Sequence, residues 1–181
     1  GEEYTLVCCA DYVLQHQKGA VVSNLSSSRA LADLATSYQV PYYASAVGEV
    51  HVVEKMKAID AVIGGEGNGG IILPSLHYGR DALIGIALFL SYLAKEAVAV
   101  SQLKKRYTNY VMRKQKIALS LDWDVDALLV FIVETFQSEQ VTTIDGVKID
   151  FDDSWIHLRK SNTEPIIRLY AEASNEAVIE Q

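Results

Sequence analysis

The sequence predicts an α/β domain on a mainly parallel mixed sheet, followed by a small α+β domain with an antiparallel sheet. Three observations carry this. Short continuous apolar runs alternate with stretches of helical apolar spacing over roughly the first 100 residues, the pattern of strands covered on both faces and joined by helices. Beyond that point the order becomes strand, helix, and then three short, closely spaced strands. Asp145-Gly146 separates two of those strands and signals a two-residue hairpin, because both central positions of such a turn need positive φ. The domains are placed at residues 1–100 and 101–181, with a joining segment near 96–108.

Taken in order, Leu6, Cys9, Ala10, Val13 and Leu14 have helical spacing within Tyr4–Gln15. Ala20-Val21-Val22 reads as a buried strand, and Ser26-Ser27-Ser28 supplies cap oxygens for a helix whose stripe is Leu31, Leu34, Ala35 and Tyr38. Pro41–Ala44 is the next strand. A helix over about Glu49–Lys57 follows, with Val52, Met56 and Ile59 on one side. Ala61-Val62-Ile63 is a third strand that runs into a glycine-rich loop, and Ile71-Ile72-Leu73 leaves it. Asp81 is positioned to cap a helix ending near Lys95. Val100–Tyr107 is a short polar and basic helix, and Val111–Leu121 a strand. Val125, Leu128, Leu129, Ile132, Val133 and Phe136 form a helical stripe with Asp122 or Asp124 as cap. Strands are expected at Val141–Ile144, Val147–Phe151, Trp155–Arg159 and Ile166–Tyr170.

Composition narrows the function. Half of the 181 residues are hydrophobic and 22% are charged, which suits a globular core. A net charge of −7 with no basic face argues against nucleic acid as partner. Cys8 and Cys9 are adjacent in an apolar setting and read as buried thiols, in keeping with a reducing cytoplasm. The apolar run Ala82–Ala94 is too short to span a bilayer and is expected to be a buried helix. No signal peptide is visible, and both ends look cut: the chain starts without Met and stops in an opening helix after Ala171.

Two segments concentrate chemistry. Gly64-Gly65-Glu66-Gly67-Asn68-Gly69-Gly70 has five glycines in seven positions, which lets backbone approach a ligand closely. Glu66 and Asn68 between them can grip vicinal sugar hydroxyls, one as acceptor and the other as acceptor and donor. The alternative is a flexible hairpin turn with a solvated carboxylate. Arg159-Lys160-Ser161-Asn162-Thr163-Glu164-Pro165 gathers a guanidinium, two hydroxyls, a carboxamide and turn amides, an anion-binding set. The alternative there is a surface hairpin in which Ser161 and Asn162 bond their own backbone. Replacing Arg159 is expected to leave stability little changed if it is solvent-exposed.

Other residues carry less. Arg80, in His77-Tyr78-Gly79-Arg80-Asp81, either reaches a second phosphate or is an exposed residue beside the capping Asp81. Arg168 lies beyond the second segment. His51 reads as structural, and His157, alternating with Ile156 and Leu158, as solvent-facing. Asp122, Asp124 and Asp126 alternate like metal ligands but coincide with a helix start, so they read as caps. No metal-spaced His/Cys cluster or nucleophile motif is present.

The second segment, continued by Arg168-Leu169-Tyr170-Ala171-Glu172-Ala173, resembles the phosphate-binding loop of the α-D-phosphohexomutases. Asp145-Gly146-Val147-Lys148-Ile149 and Trp155-Ile156-His157-Leu158 resemble the run before that loop. Gly65–Gly70 resembles the same family's sugar-recognition loop, and Val47-Gly48 with Met56 the helix before it. The resemblance covers essentially the whole chain and implies the third and fourth of four domains, the fourth truncated, with residues 1–14 joining from the second. It implies a parent isomerase moving phosphate between the 1- and 6-positions of a hexose through a bisphosphorylated intermediate, hexose 1,6-bisphosphate, which also activates. The phosphoserine and the Mg2+ loop would lie in the first two domains, so this chain alone is expected to be inactive, with the N-terminal domains as its partners. Glu66 and Asn68 would hold sugar hydroxyls, and Arg159, Ser161, Asn162 and Thr163 the non-reacting phosphate of a phosphorylated hexose. Many relatives have Ser-Gly-His where this chain has Asn68-Gly69-Gly70, and some have histidine at the place of Glu49. The Asn-Gly-Gly form leans towards phosphoglucosamine mutase or phosphomannomutase/phosphoglucomutase. The rival reading is a non-catalytic module that binds phosphorylated sugars.

Overall fold

The helical spacing after Tyr4 becomes helix α1 (Glu3–Leu14) in a computed structural model that describes residues 2–119, 124–161 and 164–180. The chain divides into two units, Gly1–Asn109 and Tyr110–Gln181.

In the first unit α1 is followed by β1 (Val21–Asn24), α2 (Ala30–Tyr38), β2 (Tyr42–Ser45), α3 (Glu49–Ala58), β3 (Ile63–Glu66), β4 (Gly70–Ile72), α4 (Ala82–Glu96) and α5 (Val100–Lys104). The sheet order is β2-β1-β3-β4, with β1 parallel to β2 and β3, and β4 antiparallel to β3. Helix α3 covers one face, where Val22, Val52, Met56, Ala61 and Ile72 form a buried cluster. Helix α1 covers the other through Leu6, which packs against Gly65. Both thiols are buried, which pushes Cys8 up to about 11 and Cys9 up to about 12.

The carboxylate of Asp11, buried on α1, accepts from the hydroxyls of Tyr38 (2.5 Å), Tyr92 (2.6 Å) and Tyr107 (2.7 Å). These bonds tie α2, α4 and the segment after α5 to α1. Burial, and then the shared carboxylate, push all three phenols above their ordinary range.

Two expectations change here. The glycine-rich segment is not one loop: Gly64, Gly65 and Glu66 are strand, and only residues 67–69 turn before β4. Helix α4 begins on Asp81, whose Oδ1 accepts from Leu83 N and Ile84 N, but it is not buried. Gly85 brings it against Ile71, Cys9 Sγ donates to Gly85 O, and Tyr92 with Phe89 and Leu93 packs on Cys8, while its opposite flank turns outward. Leu83 is 77% exposed, with Ile86 and Leu90 also exposed. Among the described residues no helix is long and apolar enough to cross a membrane.

The second unit contains β5 (Val111–Ala118), α6 (Val125–Thr135), β6 (Gln140–Thr142), β7 (Val147–Asp150), β8 (Ser154–Lys160), β9 (Ile166–Ala173) and α7 (Glu176–Ile179). Its sheet is antiparallel, ordered β5-β9-β8-β7-β6. Asp124 caps α6 by accepting from Ala127 N, while Asp122 lies outside the described residues.

The Asp145-Gly146 hairpin is longer than predicted. β6 ends at Thr142 and β7 starts at Val147, so residues 143–146 form the connection, and among them only Gly146 (φ 68°) is left-handed. A Cβ at Gly146 would sit 2.1 Å from Leu158 O, so the turn lies directly on β8. That contact also overturns the solvent-facing reading of His157, which is 0% exposed. Its side chain is on the face opposite Ile156 and Leu158, but the turn covers that face, and the ring Nε2 lies 2.7 Å from Asp145 O. Burial holds its pKa below the usual imidazole value.

Candidate functional site

At the end of β3 the backbone carries Glu66 into the interior, where it is 6% exposed. This overturns the solvated-carboxylate alternative. Asn24, at the end of the neighbouring β1, donates Nδ2 to Glu66 Oε1 at 2.8 Å, and Arg80 Nη1 reaches Oε2 at 3.4 Å. Ser27 Oγ donates to Asn24 Oδ1 and accepts from Gly67 N, so the turn after β1 is bonded to the turn after β3. Asn68 is exposed, and its Oδ1 accepts from Gly70 N, fixing its own turn and leaving the amide nitrogen as the donor it offers.

The glycines serve mainly to admit the protein's own atoms. A Cβ at Gly64 would meet Met56 Sδ at 2.6 Å, and one at Gly65 would meet Gly70 O at 2.0 Å. At Gly67 it would strike the Glu3 carboxylate at 1.8 Å, and at Gly70 the Arg80 stem at 2.6 Å. Only Gly69 (φ 87°), with nothing within 4 Å, is required by turn conformation. Sequence reasoning missed Asn24, Ser27 and Glu49 as partners of this segment. The serines after Asn24 were the available signal, and they were read as caps alone; Ser28 does accept from Ala30 N.

Arg80 is exposed, its side chain 45% accessible, yet it is paired with a carboxylate. Glu49 accepts from Arg80 N at 2.9 Å and from Nε at 2.8 Å. These bonds, the backbone one first, hold the Glu49 carboxyl below its usual range.

In the second unit, antiparallel register aligns Arg159 on β8 with Arg168 on β9, and Arg168 with Lys116 on β5. Directly paired residues share a face, so three cations stand in a row across adjacent strands beside the 161–165 connection. Like charges in that arrangement repel unless an anion intervenes. Glu164 answers part of the row, bonding Arg168 Nη2 at 3.0 Å and approaching Lys116 Nζ at 3.4 Å.

Arg159 is not solvent-exposed, as the stability expectation required. Its side chain is 19% exposed, and Nε lies 3.1 Å from Asp145 Oδ2. That contact is an ion pair whose angle falls short of a hydrogen bond, since Nε is buried without a hydrogen-bond partner. No hydrogen bond from Nη1 or Nη2 is present among the described residues, so this planar fork is the available donor pair. Ser161 Oγ accepts from Glu164 N at 3.3 Å, which is ordinary turn chemistry. Asn162 and Thr163 lie outside the described residues. Lys116 and Asp145 were not legible as members of this site, because strand register and the folded-over turn bring them in.

Among the described residues no group of three or more His, Cys, Asp or Glu could hold a metal ion.

The family model for phosphoglucomutase/phosphomannomutase, alpha/beta/alpha domain III, matches residues 1–110, and that for the C-terminal domain of the same family matches residues 95–181. The chain is 37% identical over 160 residues to a phosphoglucosamine/phosphogalactosamine mutase of Sulfurisphaera tokodaii, covering 87% of this chain and 35% of that protein. It is 33% identical over 175 residues to a phosphoglucomutase/phosphomannomutase of Thermococcus kodakarensis, covering 95% and 38%. The fold superposes, with a TM-score of 0.80 and 25% identity, on a phosphoglucomutase/phosphomannomutase family protein of Burkholderia thailandensis, covering 98% of this chain and 38% of that one. The chain thus spans well under half the length of these relatives. With family models matching both units, and the two segments singled out above lying inside the matched regions, the chain belongs to the phosphoglucomutase/phosphomannomutase family.

Proposed function

We propose that this chain is the substrate-binding part of a phosphohexomutase, whose parent moves phosphate between the 1- and 6-positions of a hexose through a bisphosphorylated sugar. The preferred sugar class is a glucosamine, mannose or glucose phosphate. The observation that carries the reading is the row Arg159–Arg168–Lys116, an anion-binding face in a chain of this family. Arg168 is engaged by Glu164, so Arg159, whose Nη atoms make no hydrogen bond among the described residues, is the principal ligand of the non-transferred phosphate. Ser161, Asn162 and Thr163 add hydroxyl and amide groups around it. Glu66 accepts from sugar hydroxyls, and Asn68 donates to them.

Holding one phosphate fixed supplies binding energy remote from the reacting bond and aligns the other end of the sugar. Magnesium would stabilise charge on the transferring phosphoryl group in the parent reaction. The described residues here do not fit a metal, so no step of this chain is assigned to one. The chain by itself is expected to show no mutase turnover.

The test is a titration of hexose phosphate and of inorganic phosphate against the parent protein and its Arg159→Ala and Arg159→Lys variants, with thermal melts alongside. Weaker binding of both ligands by Arg159→Ala, not restored by lysine, is expected. Unchanged affinity with the fold intact would remove Arg159 from the site. For Glu66→Gln, a loss of about 1.5–3 kcal/mol in transition-state binding is expected for a hydrogen bond to a charged acceptor.

A further inference from the structure

The sugar-binding reading uses Glu66 and Asn68 but leaves Arg80 and Glu49 without a role. Three observations join them. The Arg80 guanidinium and backbone are clamped by both oxygens of Glu49, at 2.8 and 2.9 Å. From that clamp Nη1 reaches Glu66 Oε2 at 3.4 Å, while Asn24 holds Oε1 at 2.8 Å. The stem of Arg80 fills the space above residue 70, where a Cβ would meet its Cδ at 2.6 Å and its Cγ at 3.2 Å. Gly70 is therefore what lets the arginine lie down along the hairpin towards Glu66.

We propose that Arg80 is a positioning residue for Glu66, held by Glu49 and admitted by the missing side chain at residue 70, and that it fixes the Glu66 carboxylate in the orientation that receives sugar hydroxyls. This rests on the reading of Glu66 as a sugar ligand. The physical case is one of pre-organisation. A carboxylate gripped on one oxygen only can rotate about its last torsion, which is broad for glutamate. A guanidinium on the other oxygen stops that rotation. Glu49 performs the same service for Arg80, because a bidentate hold on backbone N and Nε fixes both the root and the plane of the guanidinium. Two elements far apart in sequence, the start of α3 and the segment before α4, thereby set the geometry of a residue on β3. Arg80 acts here through Glu66, with its side chain 45% exposed.

The experiment measures kcat/KM for hexose phosphate in the parent protein with Arg80→Ala, Glu66→Gln, the double variant, and Gly70→Ala, each checked for an intact melt. Arg80→Ala should lower kcat/KM by roughly tenfold, and the double variant should be no worse than Glu66→Gln alone, because two residues acting as a unit are not additive. Added guanidinium ion should restore part of the Arg80→Ala loss, a response that a purely structural role would not give. Gly70→Ala keeps every charge yet displaces the arginine stem and also crowds Asn68 Oδ1, so its loss should be at least that of Arg80→Ala. If Glu66→Gln lowers kcat/KM while Arg80→Ala stays within about twofold of the parent, or if the two losses multiply, the positioning role is overturned and the Glu66 reading stands. If Glu66→Gln itself changes nothing, the sugar reading falls first, and this proposal falls with it.

Discussion

Replacing Asp11 by alanine should unravel the way the first unit is tied together. One carboxylate serves three phenols, so its removal takes that acceptor from Tyr38, Tyr92 and Tyr107, leaving Tyr38 only the backbone oxygen of residue 11 at 3.5 Å. Tyr92 is 1% exposed, and losing a buried partner costs about 1–3 kcal/mol, because water cannot replace it. Arg106 Nη1, 3.5 Å from the Tyr92 hydroxyl, donates and offers no acceptor in exchange. Tyr38 and Tyr107 are half-buried and can rehydrate, so each adds only about 0.5–1.5 kcal/mol. The total is roughly 2–6 kcal/mol, a large share of the stability of a domain this size. Urea unfolding of the chain, followed by circular dichroism, reads this as a shift in midpoint at unchanged slope. The coupling is checked in a Tyr92→Phe background, where Asp11→Ala should cost at least about 1 kcal/mol less, since one of its clients is gone. A loss below about 1 kcal/mol for Asp11→Ala, or full additivity with Tyr92→Phe, would refute the account of the cluster as a shared tie.

Gly146→Ala should destabilise the second unit by several kcal/mol, because it combines a left-handed φ with a Cβ 2.1 Å from the backbone oxygen of Leu158. Far-ultraviolet melts measure it, and a change under about 1 kcal/mol would mean that the turn lifts off β8 easily. His157 is buried with its pKa held down, so its contribution is complete above the usual imidazole value and is lost as pH falls through the lowered one. Unfolding free energy should therefore decline as pH drops below about 6.5, and His157→Gln should flatten that decline; parallel profiles would show that another group is responsible. Cys8 and the three clustered tyrosines run the opposite way, their raised pKa values making stability complete below the unfolded values and lost above. Cys9 adds to the same early fall, so stability should drop as pH rises from about 9 towards 11, and Cys8→Ser, if it folds, should lessen the earliest part of that drop.

What the sequence made legible was whatever is written locally. Helix α4 could be started at Asp81, and α6 at Asp122 or Asp124, because a cap lies next to the peptide groups it satisfies. The alternation of buried strands and helical stripes in the first unit is a one-dimensional pattern, and the mixed sheet followed from it. The glycines of Gly64–Gly70 were misread for the opposite reason. Their necessity comes from Met56, Glu3 and Arg80, none of which is near them in the chain. His157 was placed on the correct side of β8 by alternation, yet alternation says nothing about a turn folding over that side. The exposed flank of α4 was equally invisible, since an apolar run states a preference for burial and not the presence of a cover.

The same division runs through the two candidate sites and bears on how they would act. Each takes its chemistry from a short motif and its geometry from elsewhere. Glu66 is oriented by Asn24 from β1 and Arg80 from the segment before α4; Arg159 sits against Asp145 and is aligned with Arg168 and Lys116 by strand register. A motif transplanted without those partners would keep its residues and lose its pre-organisation, which is where a binding loop gains affinity at little entropic cost. Asp145 makes the point sharply. Asp145→Asn removes the charge beside Arg159 Nε while leaving the carbonyl bonded to His157, so the turn should hold but the guanidinium should loosen. Phosphate affinity can then move in either direction, and the direction is informative. Tighter binding means that Asp145 competes with the anion for Arg159; weaker binding means that holding the guanidinium in place outweighs that competition. The half-buried setting of Arg159 decides between them in favour of weaker binding, because a covered side chain held in one rotamer has little to gain from release.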